Sequence, residues 1–150
     1  MEDSDSFMKT NALKRELLRR KPGNIVEVDF ESKGNKKLFL RFFISLYACA
    51  KGFLDGCRPY ISLDACHLKG KFNGVLVAAT GVDGNSSIFP VAYGVLLSEN
   101  KNSWIWFLEL LKKAFGTPKG LVISSDMQKA LDFAITQVYP TNFMACCKDL

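Results

Sequence analysis

Between Trp104 and Val138 the chain states one pattern twice, with a different one in between. Trp104, Phe107, Leu108, Leu111 and Phe115 recur at three- and four-residue steps, as do Met127, Leu131, Ala134, Ile135 and Val138. Each set is the apolar stripe of an amphipathic helix. Between them Leu121-Val122-Ile123-Ser124-Ser125 is short and continuously apolar before its serines, and Asp126 closes it. Such a run between two helices reads as a buried parallel strand. The architecture it demands is an α/β sheet with a right-handed crossover.

The upstream residues supply the rest of that sheet. Three strand-like runs, about Tyr60–Leu68, Val75–Val82 and Ile88–Leu97, are separated by Lys69-Gly70-Lys71-Phe72-Asn73-Gly74 and Asp83-Gly84-Asn85. Connections this short suit antiparallel hairpins. Pro90 cannot donate to a ladder, so a sheet edge or a bulge is expected beside it. Asn102 or Ser103 is expected to cap the first helix, and Ser125 with Gln128 has capping-box spacing at the second. Residues 142–150 read as a further strand. Three antiparallel strands, helix, strand, helix, strand is the order of a ribonuclease H-like mixed sheet.

Ahead of this unit, residues 1–8 read as a frayed tail, and Thr10–Lys21 as a basic helix stopped by Pro22-Gly23. Asn24–Phe30 alternates, Ser32-Lys33-Gly34-Asn35 is turn-like, and Leu38–Ala50 is a long apolar run. A β-hairpin, its second arm passing into a helix near Ser45–Ala50, is the simplest account. Lys51–Pro59 reads as a linker. Two segments result: a flexible acidic tail with a basic helix over 1–23, and one domain over 24–150.

Composition narrows the function classes. With 150 residues, 48% hydrophobic and 23% charged, the chain can bury a globular core. Its longest apolar stretches fall short of the roughly 20 residues of a membrane helix. The acidic start, with Glu2, Asp3 and Asp5, is unlike a secretory signal, so an intracellular protein is expected. The net charge of +5 gathers in Lys9, Lys14, Arg15, Arg19, Arg20 and Lys21, then in Lys33, Lys36, Lys37 and Arg41. Such clusters either form a solvated face or contact phosphate backbones; Arg19, Arg20 and Lys21 are candidate nucleic-acid contacts. The five cysteines form no CxxC pair, and the single histidine, His67, is far from Cys146 and Cys147. Zinc-ligand spacing is therefore missing, and Cys49 and Cys66 are expected to be reduced, small, buried hydrophobes.

Asp64 and Asp126 are the candidate catalytic and metal-binding residues. Alternation places Ser62, Asp64 and Cys66 on one face of a strand. A carboxylate among Ile61, Leu63 and Ala65 is costly unless paired, hydrogen-bonded or metal-bound. Asp126 ends the adjoining strand, where open α/β sheets present ligands; the simpler role for it is to favour a helix start. Carboxylates on adjacent strands can share Mg²⁺ or Mn²⁺, hard cations that take oxygen ligands. Asp83 belongs to a hairpin turn, and Glu99 is expected to be solvated ahead of a helix. His67, with Lys69 and Lys71, is either a strand-end polar residue or part of a phosphate contact.

The stretch Cys57-Arg58-Pro59-Tyr60-Ile61-Ser62-Leu63-Asp64-Ala65-Cys66-His67-Leu68-Lys69-Gly70-Lys71-Phe72 resembles the first catalytic block of plant Mutator-like element (MULE) transposases. Later blocks at Ser98–Leu108 and Ile123–Leu131 resemble that family too, and the similarity spans about residues 24–150. The resemblance implies an Asp-Asp-Glu core that cuts DNA at element ends and joins it to a target in the nucleus. Asp64 would be the first acid and Asp126 the second. The third, a glutamate on a helix past the last strand, has no counterpart here. The domain is thus expected to be truncated before its final helix and inactive alone. DNA is the expected partner, with self-association or other transposase-derived chains as further ones. Departures from the family pattern, Ala65-Cys66 for Gly-Thr and Phe143 for a frequent histidine, keep an alternative open: a domesticated fragment that binds DNA or protein without catalysis.

Overall fold

A computed structural model describes residues 3–70, 72–126, 128–140 and 143–146. Its elements are α1 (Asp3–Arg20), β1 (Ile25–Lys33), β2 (Lys36–Ser45), α2 (Tyr47–Gly56), β3 (Tyr60–His67) and β4 (Val75–Val82). Then follow β5 (Ile88–Leu96), α3 (Lys101–Phe115), β6 (Val122–Ser125), α4 (Lys129–Val138) and β7 (Phe143–Cys146). All seven strands join one mixed sheet in the order β1-β2-β5-β4-β3-β6-β7. β3, β4 and β5 are the expected antiparallel set, and β6 lies parallel to β3 with β7 parallel beyond it. The register of β4 on β5 shifts between Ala79 and Thr80, where Thr80 meets Pro90; a bulge accommodates the missing donor. Cys147 lies outside the described residues.

The three later helices cover one face of the sheet. On β3 and β4 that face carries Ile61, Leu63, Val75, Val77 and Ala79, all buried. Phe107 of α3 packs edge-on against Phe43 of β2 at 5.2 Å. Phe53 of α2 tilts against Phe115 at 4.8 Å. Each large apolar side chain so enclosed contributes about 1.5–3 kcal/mol, and Trp104, Phe107, Leu108 and Leu111 of α3 are all buried. The opposite face is thinly covered: Asp64, Cys66, Leu76 and Tyr93 are exposed.

Four local expectations need correction. Residues 51–56 belong to α2 rather than to a linker. Gly52, within that stretch, is small for packing reasons, since a Cβ there would meet the Phe89 ring at 2.8 Å. α3 starts earlier than Asn102, because Asn100 takes the cap position and its side chain accepts from Ser103 N at 2.9 Å. α1 begins at Asp3, well before Thr10. Cys66 is exposed and Cys49 half-buried; alternation turns Cys66 to the uncovered face.

Candidate metal centre

β3 and β6 run side by side in one direction, with Tyr60 opposite Val122, Ile61 opposite Ile123 and Ser62 opposite Ser124. The paired register ends at Ser62 and Ser124; Asp64 lies two residues further along β3, and Asp126 one residue past the end of β6. Alternation along β3 puts Asp64 on the side of Ser62, away from the buried Ile61 and Leu63. Neighbouring strands stand about 4.8 Å apart, a gap that one cation or a close pair can bridge.

The local sequence explains both placements. Along β3, Ile61 and Leu63 are buried, Ser62 is half-buried and Asp64 is exposed, the signature of a strand covered on one side. Asp64 therefore escapes the desolvation cost expected of it, and its register rather than its burial sets it apart. β6 ends at Ser125, so Asp126 is the first residue off the strand. α4 starts only at Lys129, and the acid in its first turn is Asp132. The helix-start role foreseen for Asp126 thus falls to Asp132, a residue whose place in that turn was the only signal for it.

Two side-chain bonds hold the connector on either side of Asp126. Ser125 Oγ donates to Asp132 Oδ1 at 3.4 Å, tying the strand end to α4. Trp104 Nε1 donates to Gln128 Oε1 at 2.8 Å, tying the connector to α3. Ser125 and Gln128 consequently form no capping box; Gln128 occupies the cap position without a side-chain cap bond. Nothing in the local sequence announces the link from Trp104, which spans 24 residues.

The other candidates divide into two groups. His67 ends β3, and Lys69 follows it in the loop toward β4, three and five residues past Asp64. His67 Nε2 lies 3.7 Å from Glu99 Oε2, an ion pair only when the imidazole is protonated. The Glu99 side chain is 15% exposed, whereas that of His67 is 80% exposed. Glu99 is thus largely enclosed rather than solvated, because it reaches back from the start of α3 toward the end of β3. Lys71 lies outside the described residues. Arg19, Arg20 and Lys21 are elsewhere: they lie at and just past the end of α1, ahead of β1, which stands four strands from β3 in the sheet. Arg19 and Arg20 both engage Glu16, at 2.9 and 2.7 Å, and hold its carboxyl down to about 2. Lys21 Nζ sits 4.6 Å over the Tyr47 ring.

The donor set fits a hard cation. Mg²⁺ is commonly held through one or two carboxylates and keeps several waters, which two exposed aspartates permit. Among the described residues no three His, Cys, Asp or Glu side chains gather to hold a metal ion. Among those residues, too, no helix is long and apolar enough to cross a membrane. A model of the MULE transposase domain matches residues 60–149, from the first residue of β3 past β7 and through both aspartates. No curated protein matches the chain. With well over half its length in that match, the chain belongs to the MULE transposase domain family and is a transposase-derived DNA-processing unit.

Proposed function

We propose that Asp64 and Asp126 hold Mg²⁺ or Mn²⁺ on the uncovered face of a ribonuclease H-like sheet, for work on the phosphodiester backbone of DNA. The parallel pairing of β3 with β6 supports this reading, because it runs the strand of Asp64 beside the strand that Asp126 directly follows. When bound, such a cation polarises a phosphoryl oxygen and lowers the pKa of a bound water. The chain's own part is orientation. β3 fixes the Asp64 backbone in the sheet, while Ser125 and Gln128 restrain the connector that carries Asp126. The open side of the pair leaves room for a backbone phosphate and its water. A nuclear location and association with related chains follow from the same reading.

One observation favours a second reading, non-catalytic DNA binding: no third acidic side chain joins the pair among the described residues. Calorimetric titration with Mn²⁺ separates the two. The metal reading expects wild-type binding, weakened at least tenfold by Asp64→Asn and by Asp126→Asn. Strand cleavage by this chain alone is expected to be negligible. Affinity for Mn²⁺ that is absent, or untouched by either substitution, would leave DNA binding without metal as the surviving account.

A further inference from the structure

We propose that the β1–β2 hairpin is an arm that grips duplex DNA about one helical turn from the carboxylate pair. The inference rests on the DNA reading above and concerns a segment outside the span matched by the family model.

The argument starts from where the sheet stops. β2 pairs with β5 only from Arg41 to Ile44, and the last backbone bond between these segments runs from Leu97 N to Leu40 O. Past Leu40 no third strand pairs with the hairpin among the described residues, while its own two arms still pair Phe30 with Phe39, Glu31 with Leu38, Ser32 with Lys37 and Lys33 with Lys36. Four further residues at about 3.3 Å each give a projection of roughly 13 Å. It points the way β3 runs, toward the end bearing His67 and Lys69. Counting levels and strands from Asp64, the tip lies roughly 30 Å away. One turn of B-form duplex is about 34–36 Å.

The arm has a built base and a basic tip. Phe39 packs edge-on against Phe30 at 6.0 Å and against Phe72 at 5.4 Å. Phe72 belongs to the loop after β3 that carries Lys69, so the hairpin is braced on the same loop that leaves the carboxylate strand. Gly34, with φ of 62°, takes the first position of the two-residue turn, where type II′ hairpins place glycine. A Cβ at Gly34 would touch nothing within 4 Å, so the tip stands in open solvent. Around it Lys33, Lys36 and Lys37 outnumber Glu31, and residues 31–37 are all exposed. A two-stranded ribbon fits the major groove, and lysines beside it neutralise phosphates.

The competing use of such lysines is to block edge-to-edge strand pairing, and the experiment separates the two. Binding of the full chain to a labelled 30-base-pair duplex is followed by fluorescence anisotropy across a salt series. The Lys33→Ala/Lys36→Ala variant is compared with Lys113→Ala/Lys119→Ala, which removes equal charge near the other end of α3. Circular dichroism verifies that each variant is folded. The arm requires the hairpin variant to bind about tenfold more weakly at low salt, with a slope of log affinity on log salt shallower by about 2. The control should stay near wild type. Equal behaviour of the two variants would overturn the arm while leaving DNA binding intact. No duplex binding by wild type would overturn both.

Discussion

Tyr139 shows how one atom can count against a fold. The residue is 1% exposed, burial pushes its phenol ionisation well up, and its hydroxyl has no hydrogen-bond partner among the described residues. A buried hydroxyl left unsatisfied costs about 1–3 kcal/mol. Tyr139→Phe keeps the ring and removes the cost, so urea unfolding should show a gain of about 1 kcal/mol. A comparable loss would reveal a partner bond. Glu16 gives a pH prediction of the opposite kind. Arg19 and Arg20 lower its carboxyl from 4.5 to about 2. A depressed carboxylate contributes stability above its unfolded pKa, lost as pH falls through the folded one. The contribution should therefore be complete above about 4.5 and gone below about 2. Carboxyl NMR should show Glu16 titrating near 2 in wild type and near 4.5 in Arg19→Ala/Arg20→Ala. The positions of Asp64 on β3 and of Asp126 after β6 were legible at this scale because the strands were, whereas the approach of Glu99 to His67, 32 positions away in sequence, was not.

At the scale of elements, legibility follows periodicity. The stripes of α3 and α4 and the alternation of β3 are visible because one face of each meets the core and the other does not. α2 was harder to read, since Gly52 and Gly56 signal a break while the reason for Gly52 lies on another element. The solitary reach of β1 and β2 was hidden for a related reason: the sequence contains a hairpin but not the point at which β5 stops pairing with it. Gly94 offers a direct test of how tightly α3 is seated. A Cβ there would lie 2.7 Å from the Phe107 ring and 3.0 Å from the Phe42 carbonyl oxygen. Neither can yield easily, because Phe107 is buried against Phe43 and Trp104 and the carbonyl is backbone. Gly94→Ala should cost about 1–3 kcal/mol by overpacking, measured as a lower denaturation midpoint with an unchanged slope. A neutral result would mean that α3 can shift on the sheet.

Across the whole molecule, stability is unevenly spread, and α1 holds the weak end. Between residues 8 and 20 it has no buried residue, so little apolar area ties it down. Its attachments include polar ones: Lys14 to Glu27 at 3.1 Å, and Asn24, which donates to Leu17 O at 3.0 Å and accepts from Tyr47 N at 2.8 Å. Partly exposed ion pairs such as Lys14–Glu27 contribute roughly 0–1 kcal/mol. β3, β4 and α3, by contrast, share a continuous core from Ile61 through Val77 to Phe107. Local opening free energies follow such differences. Native-state hydrogen exchange should therefore find α1 amides exchanging by local opening, and those of β3, β4 and α3 only on global unfolding. Limited trypsin digestion should cut first among Lys14, Arg15, Arg19, Arg20 and Lys21 and leave a resistant fragment beginning close to Asn24. Equal protection of α1 and the central strands would instead place α1 inside the cooperative unit. The basic cluster of α1 would then be a fixed feature of the fold rather than a segment that opens independently of the carboxylate sheet.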